Sequence, residues 1–136
     1  MDIEILEDKI LVKGHVSYNE MRKDIPRKAR CIDFSQAELD EKMEGYIWCC
    51  RGYSHSGPVG EYQKKIDAFV EFLEEMSVSV IVLPPSVTRK QLNTCLRKWN
   101  VPKIIVPENC KLFSMKDGNI WNKKGTILIH EQKLSV

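Results

Sequence analysis

Residues 45–76 read GYIWCCRGYSHSGPVGEYQKKIDAFVEFLEEM, and the fold turns on how this stretch divides. Gly45 to Cys50 is a short apolar run ended by Arg51-Gly52, the pattern of a buried strand. From Gly60 to Met76 the apolar residues Tyr62, Ile66, Phe69, Val70, Leu73 and Met76 recur three and four apart. That spacing predicts an amphipathic helix, with Glu71, Glu74 and Glu75 turned outward. Between strand and helix lies a polar loop carrying Gly52, Gly57 and Gly60, with Pro58 at its kink.

Downstream, Val78 to Leu83 reads as a second strand, stopped by Pro84-Pro85. Thr88 and Gln91 have the spacing of a capping box, in which each side chain satisfies the other's backbone N–H. Leu92, Cys95, Leu96 and Trp99 line one face of the helix that follows, Asn100 is placed to end it, and Pro102 prevents its return. Lys103 to Val106 makes a third strand. Residues 45–106 therefore predict strand–helix–strand–helix–strand, with parallel strands joined by right-handed crossovers.

At the N-terminus IEILEDKILVKGHV alternates on both sides of Glu7-Asp8-Lys9 and reads as a β-hairpin. Residues 17–30 read as a long polar loop with Pro26, 30–35 as a short strand, and 36–44 as a turn of helix. Near the C-terminus Phe113 to Trp121 centres a hairpin on Asp117-Gly118, the type I′ signal, and Asn122 to Gly125 turns into Thr126–His130. The expected fold is a single α/β domain over residues 1–136. A small, mostly parallel βαβαβ core gains antiparallel strands from N- and C-terminal β-hairpins.

Composition fits that expectation. The chain has 136 residues, 43% of them hydrophobic and 29% charged, which is ordinary for one globular domain. No apolar run approaches the roughly 20 residues of a membrane span, and the acidic, alternating N-terminus lacks the form of a signal peptide. Five cysteines (Cys31, Cys49, Cys50, Cys95, Cys110) without a C-x-x-C pair, and three scattered histidines, argue for reduced thiols rather than disulfides or zinc. A cytoplasmic protein without membrane attachment is expected.

In parallel sheets ligands bind at the carboxyl ends of the strands, where loops and helix N-termini converge. The predicted core brings three loops there: Arg51 to Gly60, Pro84 to Arg89, and Pro107 to Cys110. Candidate ligand-binding residues are Arg51, Gly52, Ser54, Ser56, Gly57, Gly60, Ser86, Thr88, Arg89 and Asn109. Glycines allow close backbone approach, a helix starting near Gly60 would direct N–H groups at the ligand, and Arg51 or Arg89 could clamp a phosphate or carboxylate. The implied ligand is an anionic small molecule, a nucleotide or a phosphorylated metabolite. His55 and Glu108 are the acid/base candidates if there is turnover, which the sequence leaves open.

The spacing G-x4-G-x2-G is neither the dinucleotide fingerprint nor a Walker A loop, and no motif names a cofactor. Cysteine–histidine catalysis by Cys50 and His55 lacks a third orienting group. A two-metal nuclease centred on Asp33 lacks the further carboxylates at the later strand ends. The alternative function is a nucleic-acid- or protein-binding accessory protein without catalysis. It would use the basic runs at 22–30 and 89–103, with Tyr18, Trp99 and Trp121 available to stack bases. The net charge of +2 is low for that role. An exposed terminal hairpin edge leaves homo-oligomerisation open.

Overall fold

The computed structural model describes residues 1–40, 43–51, 60–97 and 103–132. The chain is a mixed α/β protein built on a five-stranded sheet. Its strands are β1 (Asp2–Ile5), β2 (Ile10–Val16), β3 (Lys28–Leu39), β6 (Ser77–Val82) and β7 (Lys103–Ile105), in the spatial order β1-β2-β3-β6-β7. β1 and β2 form the expected antiparallel hairpin, closed by Leu6 N–H donating to Lys9 O at 2.8 Å. The other pairings, β2–β3, β3–β6 and β6–β7, are all parallel.

Interposed in sequence are β4 (Glu44–Arg51) and β5 (Gly60–Asp67), and the helices α1 (Tyr18–Lys23), α2 (Ala68–Glu75) and α3 (Arg89–Arg97). Each parallel step moves one place in the same direction across the sheet. Right-handed crossovers then put the three helices on one face, with α1 against α2 and α2 against α3. Register explains how that face is filled. Ile10, Ile32, Ile81 and Ile104 stand opposite one another across four strands, and all are buried. Over them α2 lays Phe69 and Phe72, whose rings meet Phe34 of β3 edge-on at 5.3 and 5.5 Å. Aromatic pairs in this geometry gain about 1 kcal/mol beyond the area they bury.

Four expectations need correction. The strand at 45–50 does not join the parallel sheet. It is part of β4, which pairs antiparallel with β5 from Glu44↔Asp67 to Arg51↔Gly60 as a separate two-stranded unit. Its place in the parallel sheet belongs to β3, which continues as strand to Leu39 where a helical turn was expected. The long loop at 17–30 contains α1, started by a full capping box in which Glu20 N–H donates to Ser17 Oγ and Ser17 N–H donates to Glu20 Oε1.

The fourth correction is the helix expected from Gly60. Residues 60–67 are strand, and the helix starts only after Asp67. The three-and-four spacing of Tyr62, Ile66 and Phe69 spans two elements with different periods. Asp67 separates them: its Oδ1 accepts the N–H groups of Phe69 and Val70 at 3.0 and 3.1 Å, the role of an N-cap. Beyond it Phe69, Phe72, Leu73 and Met76 are buried, so the helical stripe runs through Phe72, and Val70 lies at its half-buried margin.

The C-terminal strands β8 (Phe113–Lys116), β9 (Asn119–Asn122) and β10 (Leu128–His130) form a third, antiparallel sheet. Asp117 and Gly118 have φ of 55° and 79°, the two positive values a type I′ turn requires. This sheet reaches the outer edge of β7 through Gln132. The Gln132 side-chain amide accepts from Ile104 N–H and donates to Ile104 O, both at 2.8 Å. It thus replaces, with one side chain, the backbone partners a further strand would supply.

Candidate functional site

The carboxyl ends of β2, β3, β6 and β7 open onto a cleft of about 1030 Å³. Its position follows from backbone bonds that extend the strands. Asp40 N–H donates to Val16 O at 3.1 Å, holding the ends of β2 and β3 together. Leu83 N–H donates to Ile105 O at 2.9 Å and Lys111 N–H to Pro85 O at 3.1 Å, tying the loop after β7 to the loop after β6. Ala68 N–H donates to Met43 O at 2.8 Å, joining the base of the β4–β5 hairpin to the start of α2.

Two walls differ in chemistry. One comprises His15, Glu38 and Asp40 at the ends of β2 and β3. The other comprises Ser86, Thr88, Lys90 and Lys111 from α3 and the loops after β6 and β7. Glu44 and Asp67, the first pair of the hairpin ladder, stand between them, and Leu39, Met43 and Val87 supply buried apolar floor.

Many of these polar groups already have partners. Asp67 caps α2 through Oδ1, while its Oδ2 accepts from the Gln91 amide at 3.4 Å. Glu44 holds Lys65 at 2.7 Å and Lys90 at 3.9 Å. The hydrogen bond from Lys65 keeps the Glu44 carboxyl below its ordinary pKa, and the same bond raises that of Lys65. Thr88 and Gln91 form the capping box expected from their spacing: Gln91 N–H donates to Thr88 Oγ1 at 3.2 Å and Thr88 N–H to Gln91 Oε1 at 2.9 Å. His15 Nε2 is paired with Asp40 Oδ1. Ser86 is different. Its Oγ is shielded from solvent and has no hydrogen-bond partner among the described residues. A buried hydroxyl left so costs about 1–3 kcal/mol.

Of the residues anticipated from sequence, Ser86 and Thr88 line the cleft. Arg89 is exposed beside it, with Nε donating to Asn93 Oδ1 at 3.1 Å. Glu108 and Asn109 are exposed and do not line it; the Glu108 carbonyl accepts from Lys123 Nζ at 2.9 Å. Arg51 and Gly60 are paired at the far end of the β4–β5 ladder from Glu44 and Asp67, so Gly60 begins a strand and offers no helix N-terminus. Gly52, Ser54, His55, Ser56 and Gly57 lie outside the described residues, as do Trp99, Asn100 and Pro102.

His15, Glu38, Asp40 and Lys111 were not anticipated, and Lys90 only as part of the basic run at 89–103. The signal for the first three was the parallel pairing of β2 with β3, which puts His15 opposite Glu38. An N-terminal hairpin taken as an appendage hides it.

Other candidates are placed elsewhere. Asp33 is buried, accepting from Ser35 N–H at 2.8 Å and from Lys9 Nζ at 3.3 Å. No three His, Cys, Asp or Glu side chains among the described residues are grouped to hold a metal ion. Cys31, Cys95 and Cys110 are thiols, and burial followed by the charge of Asp33 pushes the Cys31 pKa up, away from a reactive thiolate. Among the described residues no helix is long and apolar enough to cross a membrane. Comparisons with protein-family models, curated proteins and solved structures find no match to this chain.

Proposed function

We propose that the chain is a binding domain for an anionic small molecule, a nucleotide or phosphorylated metabolite, held in the carboxyl-edge cleft. The observation that carries this is the Ser86 hydroxyl, shielded and unpartnered, on a wall with the Thr88 hydroxyl and the ammonium groups of Lys90 and Lys111. Thr88 Oγ1 accepts in the capping box and keeps its own proton to donate. Lys111 has no carboxylate within ion-pair distance among the described residues, and Lys90 reaches Glu44 only at 3.9 Å. Three exposed donors, Thr88, Lys90 and Lys111, thus stand on the wall that also carries the shielded Ser86 hydroxyl, a set suited to a phosphate or carboxylate.

The basic run at 22–30 gives less support to the nucleic-acid alternative. Arg22 pairs with Glu71 at 3.4 Å and Arg27 with Glu75 at 2.7 Å, joining α1 and the start of β3 to α2. Arg27 also donates to Arg22 O and Ile25 O and lies over the Phe72 ring.

The test is thermal shift of the whole chain with inorganic phosphate, nucleoside monophosphates and sugar phosphates. A ligand at about 100 times its dissociation constant adds about 2.7 kcal/mol of stability. Ser86→Ala and Lys111→Met should each weaken binding. Absence of any shift in the wild-type protein would overturn the proposal.

A further inference from the structure

We propose that the ligand is a phosphorylated sugar, alone or within a nucleotide, whose hydroxyls face the Glu38–Asp40 wall while its phosphate faces Ser86, Thr88, Lys90 and Lys111. This rests on the binding function proposed above and names its substrate class. A cleft of about 1030 Å³ is far larger than one phosphate, and lies at the upper end of sites that enclose drug-sized ligands.

The acidic wall excludes a ligand that is anionic throughout, because carboxylates opposite its second end would repel it. Which carboxylates remain available follows from their partners. Asp67 is committed to the helix cap and Gln91, and Glu44 to Lys65 at 2.7 Å. Glu38 is exposed and its side chain carries no ion pair or hydrogen bond among the described residues, and Asp40 has one oxygen on His15.

The wall therefore presents free carboxylate oxygens beside an imidazole whose second nitrogen is available. Hydroxyls both donate and accept, so they match the carboxylate oxygens and the second imidazole nitrogen in either protonation state. Carboxylates at the carboxyl edge of parallel sheets bind ribose hydroxyls in this manner. The apolar floor of Met43 and Val87 leaves room for a base or a hydrocarbon portion between the walls.

The experiment measures binding of inorganic phosphate, ribose, ribose 5-phosphate and adenosine monophosphate to the whole chain by titration calorimetry. Ribose 5-phosphate should bind at least about tenfold more tightly than inorganic phosphate, the gain from one or two hydrogen bonds to a carboxylate. Glu38→Gln combined with Asp40→Asn should reduce ribose 5-phosphate to the affinity of inorganic phosphate without weakening phosphate itself. Lys111→Met should weaken both. Equal affinity of the wild-type protein for phosphate and ribose 5-phosphate would overturn the sugar assignment and leave anion binding intact. Failure of every phosphate-bearing probe to bind would overturn both.

Discussion

Replacing Asp67 with alanine tests the division of residues 60–76 by the sign of its effect. In the structure Asp67 ends β5 and caps α2, accepting from Phe69 N–H and Val70 N–H, and its second oxygen accepts from the nearly buried Gln91. Losing a helix N-cap costs about 1 kcal/mol. Leaving the Gln91 amide without its partner costs about 1 kcal/mol more, at the low end because the bond is long at 3.4 Å. Asp67→Ala should therefore lower stability by about 2 kcal/mol, or Tm by about 8 °C for a domain of this size.

Asp67→Asn keeps the Oδ1 acceptor for the cap but turns an amide toward Gln91, so it should lose only about 1 kcal/mol. A continuous helix over 60–76 predicts the opposite. Asp67 would then be an interior residue of poor helix propensity, and alanine would stabilise by about 0.6 kcal/mol. Urea denaturation of the three proteins, with m-values compared to confirm an unchanged unfolding reaction, measures the difference. Neutral or increased stability of Asp67→Ala would refute the strand-to-helix switch at this residue.

Gly45→Ala should destabilise by about 1–3 kcal/mol, because its Cβ would lie 2.7 Å from Tyr18 Cζ and 2.8 and 2.9 Å from the adjoining ring carbons; a second change, Tyr18→Leu, should recover part of the loss in the same denaturation assay. Arg27→Met should lose about 2 kcal/mol by freeing the Arg22 and Ile25 carbonyls and Glu75, whereas Arg30→Glu, at an exposed site without such bonds, should stay within about 0.5 kcal/mol. In the α1 capping box the Ser17 N–H bond holds the Glu20 carboxyl below its ordinary pKa. The stability this contributes is fully present above the ordinary glutamate range and is lost as pH falls through the lowered value, so Glu20→Gln should flatten the acid limb of the stability–pH curve.

What the sequence made legible were elements whose signals are local. Asp117-Gly118, Thr88 with Gln91, and Pro84-Pro85 after VSVIVL each act within a few residues, and each marks an element boundary in the structure. Where the sequence misled, two signals competed over the same residues. The apolar residues of β5 and α2 combine into a helical stripe, and only Asp67 shows that they belong to different elements. Ser17 and Glu20 carry the same capping chemistry as Thr88 and Gln91, but no long apolar stripe follows them, so α1 reads as loop. The cleft depended on what is least local. Ser86 and Thr88 follow a recognisable strand, whereas His15 and Glu38, 23 residues apart in sequence, become neighbours only through the parallel pairing of β2 with β3.

The sheet's topology also explains why negative charge stands between the two walls of the cleft. A doubly wound sheet gains its crevice where the strand order reverses and adjacent loops diverge. Here β2, β3, β6 and β7 advance in one direction, so no reversal occurs among these parallel strands. The cleft depends instead on the crossover between β3 and β6. That connection carries the β4–β5 hairpin, and the Glu44↔Asp67 pair at the hairpin's base stands beside the carboxyl edge. Both residues are there for structural reasons, Glu44 holding Lys65 and Lys90 and Asp67 capping α2. The same residues that bring the hairpin to the helix start therefore place negative charge between the lysines and Glu38. On the proposed reading, a ligand that spans the cleft has to pass these carboxylates to reach Glu38 and Asp40, which an uncharged, hydroxyl-bearing portion does without the repulsion a second phosphate would meet.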